Sequence, residues 1–201
     1  IPVLQITSSM DIGEHPGCNR GNLYILSNAD SVRMYKNDRF IKEYRPEMSP
    51  YKHLKHGPIL IDDFIGDALE KNERFRPKHA KEMADAMNIV ARGSLNHIPK
   101  RLYPTALKLA LLYHIDFAEV TKLYTKYIGD WGGTATVYRF DAIKNGKVIK
   151  SVTKEPVNGI RLQAEADHTN LTEHHSYDVA LVRIRAVDAH GNAEIKQTGR
   201  K

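Results

Sequence analysis

The sequence predicts an α+β protein in which the two ends of the chain form one β-sandwich, interrupted by a helical insertion. Apolar and polar residues alternate near both ends, which is typical of half-buried strands. Between the ends, apolar residues recur at helical spacing. Neither end holds enough strands to bury a sheet face alone, so we expect the two ends to meet in space. The predicted sandwich takes residues 1–58 and 132–201, and the insertion takes 59–131.

The N-terminal strands are separated by short turn signals. Predicted strands cover residues 2–8, 22–27 and 31–36. The dipeptide Asn37-Asp38 then joins SVRMYK to RFIKEY, which predicts a tight hairpin at that point.

The middle of the chain has the spacing of amphipathic helices. The clearest apolar helical face is predicted over residues 78–94 and consists of Ala80, Met83, Ala84, Met87, Val90 and Ala91. A second helix is predicted to begin at Pro104. A third follows Asp116, which with Glu119 has the spacing of a capping box, and we expect Gly129 to end it.

The strand pattern returns after residue 133. Asn145-Gly146 is a strong hairpin signal with a predicted strand on each side. The C-terminal strands are predicted over residues 134–143, 147–153, 160–166 and 177–187, with a turn over 188–192.

Composition excludes two classes of protein. No apolar run approaches the ~20 residues needed to span a bilayer, so we expect neither a membrane protein nor a membrane partner. Cys18 is the only cysteine, so no disulfide can form within the chain. The sequence begins at Ile1 rather than Met, and no signal segment follows, which we interpret as a trimmed fragment.

The net charge of +6 is spread over the chain. Residues 59–131 carry 11 basic and 10 acidic side chains, and the remaining excess is interleaved with Asp and Glu among the predicted strands. Nucleic-acid binders concentrate basic charge on one face. We therefore expect no nucleic-acid partner.

Two hairpin-forming stretches carry a family resemblance. The first is SNADSVRMYKNDRFIKEY at 27–44, and the second combines TVYRFDAIKNGKVIKSVTKEP at 136–156 with YDVALVRIRAVDAHGN at 177–192. They resemble the C-terminal, post-barrel immunoglobulin-like region of glycoside hydrolase family 2 enzymes, the β-galactosidase and β-glucuronidase group. The first hairpin has Asn37-Asp38 where the family usually has Asn-Gly, and residues 59–131 carry no part of the resemblance.

The resemblance implies an immunoglobulin-like sandwich that packs on the catalytic barrel of a parent polypeptide. In the family, two catalytic carboxylates lie on a (β/α)₈ barrel, which typically needs ~250 residues. No part of this sequence alternates in that way, and no carboxylate here matches the family's catalytic motifs. The resemblance therefore implies a non-catalytic accessory domain without a cofactor. The parent would hydrolyse terminal β-linked sugars, with galactose as the first expectation.

Other chemistry-bearing residues have structural interpretations. Asp62-Asp63 could be an acid/base pair, but two carboxylates opening a predicted helix over 62–70 favour the helix dipole. Cys18 lacks the histidine signature of a thiol nucleophile, apart from His15 nearby. Metal-site spacing is lacking among the remaining candidates, which are His53, His56, His168, His174 and His175.

Trp131 is the one candidate for carbohydrate binding. Its aromatic face can stack on the apolar face of a sugar ring, and glycines lie close on both sides of it. A single Trp at a helix-to-strand junction is also typical of a core or interdomain plug. Tyr177, at the start of the predicted last strand, we interpret as a tyrosine corner.

Alternative functions stay open. A carbohydrate-binding module needs an exposed aromatic platform, for which the sequence offers Trp131 and scattered tyrosines. A protein-interaction domain is the second alternative. An independent hydrolase would turn over chromogenic glycosides as this chain alone, which we do not expect.

Overall fold

The protein combines helices with antiparallel sheets, which confirms the prediction of an α+β fold. The computed structural model describes residues 1–8, 10, 20–73, 75–93, 100–104, 117–129, 136–155 and 159–193. Contacts divide the chain into two compact units, Ile1–Pro156 and Val157–Lys201.

The first unit contains seven of the strands that the structure describes. They are β1 (Leu4–Ile6), β2 (Tyr24–Ser27), β3 (Ser31–Lys36), β4 (Arg39–Tyr44), β5 (Ile59–Leu60), β6 (Tyr138–Lys144) and β7 (Lys147–Lys154). Its described α-helices are α1 (Ala68–Glu73), α2 (Pro77–Arg92) and α3 (Phe117–Tyr124). Short 3₁₀ turns occur at Pro46–Met48 and Lys100–Leu102.

A four-stranded antiparallel sheet joins segments that are far apart in the sequence. Its strand order is β4-β3-β6-β7. Strands β3 and β6 pair directly, with Ser31 opposite Ile143 and Lys36 opposite Tyr138, although more than 100 residues separate the partners. The expected meeting of strands from both ends of the chain is therefore observed in this sheet.

Both hairpins of this sheet turn through left-handed residues. The backbone φ angle is 48° at Asn37 and 60° at Asp38, and it is 50° at Asn145 and 73° at Gly146. Two consecutive positive φ angles define the type I′ turn, whose twist matches that of the flanking strands. The two hairpins predicted from these dipeptides are confirmed.

A smaller antiparallel sheet has the order β1-β2-β5. Ile25 of β2 lies between Ile6 of β1 and Ile59 of β5. The side chain of Asn28 fixes the N-terminal segment, because its Oδ1 accepts from the Val3 amide at 2.8 Å and its Nδ2 donates to the Ile1 carbonyl at 3.0 Å. The strands predicted over residues 2–8 and 22–27 are confirmed as β1 and β2, with shorter bounds.

The helices share one hydrophobic core with both sheets. The buried face of α2 consists of Ala80, Met83, Ala84, Met87, Asn88 and Ala91, which agrees with the predicted face except that Asn88 is buried and Val90 is only partly buried. Ile25, Met34 and Phe140 come to the same core from three different strands. Because of this shared core, the contacts divide the chain at residue 156, whereas the sequence patterns place boundaries at 58 and 131. Among the described helices, none combines the length and the apolar character needed to cross a membrane.

Helix α3 continues into a wider π-helical turn, Thr125–Gly129. Tyr127, Ile128 and Gly129 are buried there. The capping box predicted at Asp116 and the body of the helix predicted from Pro104 lie outside the described residues.

The second unit is built on a two-stranded antiparallel ribbon of β8 (Arg161–Ala166) and β9 (Val182–Val187). The last strand is shorter than the predicted 177–187. The Asp167 and Asp178 carboxylates accept backbone N–H groups between residues 172 and 181, so this segment forms a loop instead of continuing the ladder. After β9, the Asp188 carboxylate accepts the amides of His190 and Asn192, which confirms the predicted turn.

Candidate functional site

The candidate Trp131 lies outside the described residues, so its sugar contact stays a prediction. The structure instead describes both ends of the segment that carries it. On the helix side the description stops at Gly129, and on the strand side it resumes at the buried Thr136. The part of the candidate site that the structure describes is therefore its two borders. These are the π turn that ends at Gly129 and the segment that leads from Thr136 into β6.

Two cations hold the helix end of this junction. Lys36 Nζ donates to the Tyr127 carbonyl at 2.8 Å, and Arg20 Nη2 donates to the Ile128 carbonyl at 3.2 Å. Cations suit these carbonyls because the last turn of a helix carries unpaired acceptors and the negative end of the dipole. Both cations also face the Tyr138 ring, with Arg20 Cζ 5.3 Å and Lys36 Nζ 5.6 Å from its centroid.

Asn37 holds the strand end of the same junction. Its backbone N–H donates to the Val137 carbonyl at 2.8 Å, and its side-chain Oδ1 accepts from the Val137 backbone N–H at 2.8 Å. Lys36 and Asn37 are adjacent at the end of β3. The dipeptide Lys36-Asn37 therefore bonds to the backbone on both sides of the segment that contains Trp131. We call this pair of contacts the clasp. Sequence reasoning did not identify it.

The Glu73 carboxylate fastens the π turn to α1. Its Oε1 accepts from Lys126 Nζ and from Tyr127 Oη, both at 2.7 Å. These two donors hold the pKa of Glu73 below its usual value, while burial and the neighbouring carboxylate raise the pKa of Tyr127. Both donors come from the π turn, so Glu73 anchors that turn to α1.

The adjacent Asp62 and Asp63 have separate structural tasks. The Asp62 carboxylate pairs with Lys42 Nζ at 2.8 and 2.9 Å. Asp63 Oδ1 accepts two backbone N–H groups of the following turn at 3.0 Å each, and Asn88 Nδ2 at 2.8 Å. The predicted helix start at 62 is wrong: α1 begins at Ala68, because the Asp63 side chain stabilises a turn before the helix.

The candidate histidines are distributed over exposed loops. His168 lies between two carboxylates, with Nδ1 2.8 Å from Asp167 Oδ1 and Nε2 3.6 Å from Asp178 Oδ1. His174 and His175 are exposed. Within the described ranges, no group of three His, Cys, Asp or Glu side chains is arranged to hold a metal ion. Cys18 lies outside those ranges.

The loop over residues 45–58 presents an exposed tyrosine on a fixed backbone. Tyr51 is 45% exposed and meets the His53 ring edge-on, with centroids 6.4 Å apart. The buried Ser49 fixes this loop, because its Oγ donates to the Pro58 carbonyl at 2.8 Å and accepts from the Tyr51 amide at 3.2 Å. Sequence reasoning considered His53 and His56 in this loop and missed Tyr51.

The interpretation of Tyr177 as a tyrosine corner is wrong. The side chain is 83% exposed and lies five residues before β9, so it packs in no strand corner. The second unit has a larger exposed feature, which is the apolar face of the β8–β9 ribbon. Strict alternation in RLQAEA and VRIRAV was the sequence signal for that face.

Comparison of the chain with protein-family models, with curated proteins and with solved structures finds no match.

Proposed function

We propose that this chain is a non-catalytic accessory region of a family 2 glycoside hydrolase, and that its antiparallel strands belong to an immunoglobulin-like sandwich. In this proposal the parent polypeptide carries the catalytic barrel and hydrolyses terminal β-linked sugars, with β-galactosides as the first expected substrates. The chain itself packs on that barrel and contributes structure and interface.

The observation that carries the proposal is the pairing of the two resembling hairpins. The stretches 27–44 and 136–156 contribute β3-β4 and β6-β7, and β3 lies directly beside β6. Both hairpins turn through type I′ geometry. One sandwich sheet accounts for the adjacency of these two stretches, whereas the third resembling stretch, 177–192, lies in the second unit.

The bonding of three of the described carboxylates supports a structural role. Glu73 joins α1 to the π turn, Asp63 holds the turn before α1, and Asp188 holds the turn after β9. Each of these carboxylates is an acceptor for groups of its own fold. They stabilise the elements that would present a surface to the rest of the enzyme.

The proposal is tested by hydrolysis of nitrophenyl β-D-galactoside. We expect turnover by the parent polypeptide and none by the 201-residue chain alone. Turnover by the isolated chain would refute the non-catalytic role. A parent that cleaves no nitrophenyl β-glycoside would refute the family assignment.

A carbohydrate-binding module is the second candidate function, and the exposed Tyr51–His53 pair favours it. A tyrosine on a fixed loop can stack on a sugar ring without first losing much conformational freedom. The test is calorimetric titration of the chain with β-linked galacto-oligosaccharides. Tyr51→Ala or Trp131→Ala is expected to abolish binding, with Tyr177→Ala as the matched exposed control. Absence of heat with the unsubstituted chain would eliminate this candidate.

A further inference from the structure

Residues 45–58 form a loop of the first unit between β4 and β5, and its own contacts fix its backbone. The Leu54 N–H donates to the Tyr51 carbonyl at 3.0 Å, which closes a turn within the loop. Gly57 packs tightly against the start of the loop, because a Cβ at that position would lie 2.5 Å from Ser49 Oγ. The loop therefore presents its side chains from a defined backbone.

This loop, all of whose residues the structure describes, exposes three large apolar side chains. The exposed fraction is 49% for Met48, 45% for Tyr51 and 46% for Leu54. Apolar residues that are exposed singly are ordinary on a protein surface. Several on one short loop of defined shape are instead typical of a surface that contacts an apolar phase.

The same loop carries an excess of positive charge. The residues on both sides of Leu54 are basic and exposed, namely Lys52, His53, Lys55 and His56. Glu47 is the only acidic residue between positions 45 and 58, against three lysine and arginine residues. Charge complementarity therefore favours a negatively charged partner for this loop.

An anionic bilayer surface matches both features of the loop. Its headgroups attract cations, and each basic side chain near such a surface strengthens binding about fivefold. The boundary between headgroups and acyl chains accepts apolar side chains, and tyrosine is enriched there because its ring is apolar and its hydroxyl stays in water. A soluble polyanion, such as a nucleic acid or a sulfated polysaccharide, would satisfy the charge but leave Met48 and Leu54 in water. The exposed apolar side chains therefore favour the bilayer over the soluble polyanion.

We propose that the loop over residues 45–58 docks on the surface of a membrane that contains anionic lipids. Met48 and Leu54 enter the interface, and Lys52 and Lys55 lie against the headgroups. The sequence predicted no membrane partner because it has no apolar run long enough to span a bilayer. A docking loop needs no such run, since it lies on the bilayer without crossing it. The proposal is independent of the glycosidase assignment.

Sedimentation of the 201-residue chain with lipid vesicles tests the proposal. The vesicles consist of phosphatidylcholine with about 30% phosphatidylserine, or of phosphatidylcholine alone, at roughly 0.1 M salt. We expect binding to the anionic vesicles only. Lys55→Glu removes a positive charge and adds a negative one, so it should weaken binding about 25-fold. Leu54→Ser should weaken binding about fivefold, because it removes an apolar side chain from the interface.

The strand β7 offers matched controls for both substitutions. Lys150→Glu and Val148→Ser make the same kinds of change at exposed positions outside the loop. Because charges far from the contact are screened by salt, each control should change binding by about twofold or less.

Insertion of the loop is measured separately with an environment-sensitive fluorophore on Leu54→Cys, in a Cys18→Ser background. Its emission should shift to the blue with anionic vesicles, and the same fluorophore on Val148→Cys should show no shift. The proposal is overturned if the chain does not bind anionic vesicles, or if loop and control substitutions weaken binding equally. It is also overturned if sulfated dextran binds as tightly as the vesicles while Leu54→Ser has no effect on either, since the partner would then be a soluble polyanion. Hydrolysis of nitrophenyl glycosides and titration with neutral oligosaccharides are separate measurements, so either proposal can fail alone.

Discussion

Asn88 is a buried polar residue that joins α2 to the turn before α1. Its Oδ1 accepts from the Phe64 amide at 2.9 Å, and its Nδ2 donates to Asp63 Oδ1 at 2.8 Å. Asn88→Ala would leave the buried Phe64 N–H without an acceptor. We expect the free energy of unfolding to fall by about 2–3 kcal/mol, since an orphaned buried donor costs more than the bond itself contributes. Urea unfolding at neutral pH measures the loss.

The matched control for Asn88→Ala is Lys78→Ala, on the exposed side of the same helix. Exposed substitutions of this kind change stability by about 0.5 kcal/mol or less. Equal effects of the two substitutions would contradict the role assigned to Asn88.

The Glu73 anchor predicts a pH dependence of stability. Lys126 and Tyr127 lower the pKa of Glu73 in the folded protein from the usual 4.5. A carboxyl with a lowered folded pKa adds stability that is complete above its unfolded pKa and is lost as the pH falls through the folded pKa. The difference in unfolding free energy between wild type and Glu73→Gln should therefore be constant near neutral pH and shrink below about pH 4.5.

Urea unfolding of both proteins between pH 7 and pH 3 measures this difference. Lys126 is the largest cause of the lowered pKa of Glu73. In a Lys126→Met background, the part of this free-energy difference that varies with pH should be smaller. A difference between wild type and Glu73→Gln that stays constant down to pH 3 would refute the anchor.

At the scale of elements, the two hairpin turns offer a reciprocal exchange. Asp38 and Gly146 occupy the same second position of type I′ turns, with φ angles of 60° and 73°. Glycine adopts this conformation without the steric cost that a Cβ imposes. We expect Asp38→Gly to raise the free energy of unfolding by about 0.5 kcal/mol and Gly146→Asp to lower it by about 1 kcal/mol.

The surroundings of both turns allow backbone conformation to dominate the result. A Cβ at Gly146 meets nothing within 4 Å. The ion pair between Asp38 and Arg139, at 3.1 Å, has an 87% exposed carboxylate and contributes little. Asp38→Asn removes the charge but keeps a side chain that tolerates positive φ, so it separates the two effects. Thermal unfolding that ranks Asp38→Gly below wild type would contradict this account.

Local sequence was sufficient for the elements whose signals are themselves local. The α2 face and both type I′ turns follow from spacing and from turn dipeptides, and the structure agrees with them. The errors occur where aspartate side chains bind nearby backbone amides. With Asp63 bonded in this way, α1 starts later in the sequence than predicted. The bonds to Asp167 and Asp178 have the same effect on the start of β9. These bonds compete with helix and ladder, and apolar periodicity carries no signal for them.

The candidate site shows a second limit of sequence reasoning. The composition of its segment identified Trp131, but nothing local indicated the clasp formed by Lys36 and Asn37. The clasp depends on the register between β3 and β6, which places Lys36 opposite Tyr138 across more than 100 residues of sequence. A long-range register of this kind follows from the packing of the whole sheet and not from any short window.

At the scale of the whole molecule, the hydrophobic core belongs to the first unit. Every residue of the described core cluster lies between Leu4 and Ala142, and the partly buried residues packed against it extend only to Val152. The second unit contributes to that cluster no residue that the structure describes. We therefore predict that residues 1–156 fold without residues 157–201. Near-UV circular dichroism and thermal unfolding should show a cooperative transition within a few degrees of that of the full chain.

The converse truncation tests whether the second unit folds by itself. Residues 157–201 alone would contain the β8–β9 ribbon and its loop, and a two-stranded ribbon with an uncovered apolar face cannot offset the entropy of ordering its own backbone. We expect no cooperative transition for this fragment in circular dichroism. The dye ANS should bind the 201-residue chain more strongly than residues 1–156, since the exposed face is absent from the shorter chain. Cooperative unfolding of residues 157–201 by themselves would contradict this expectation.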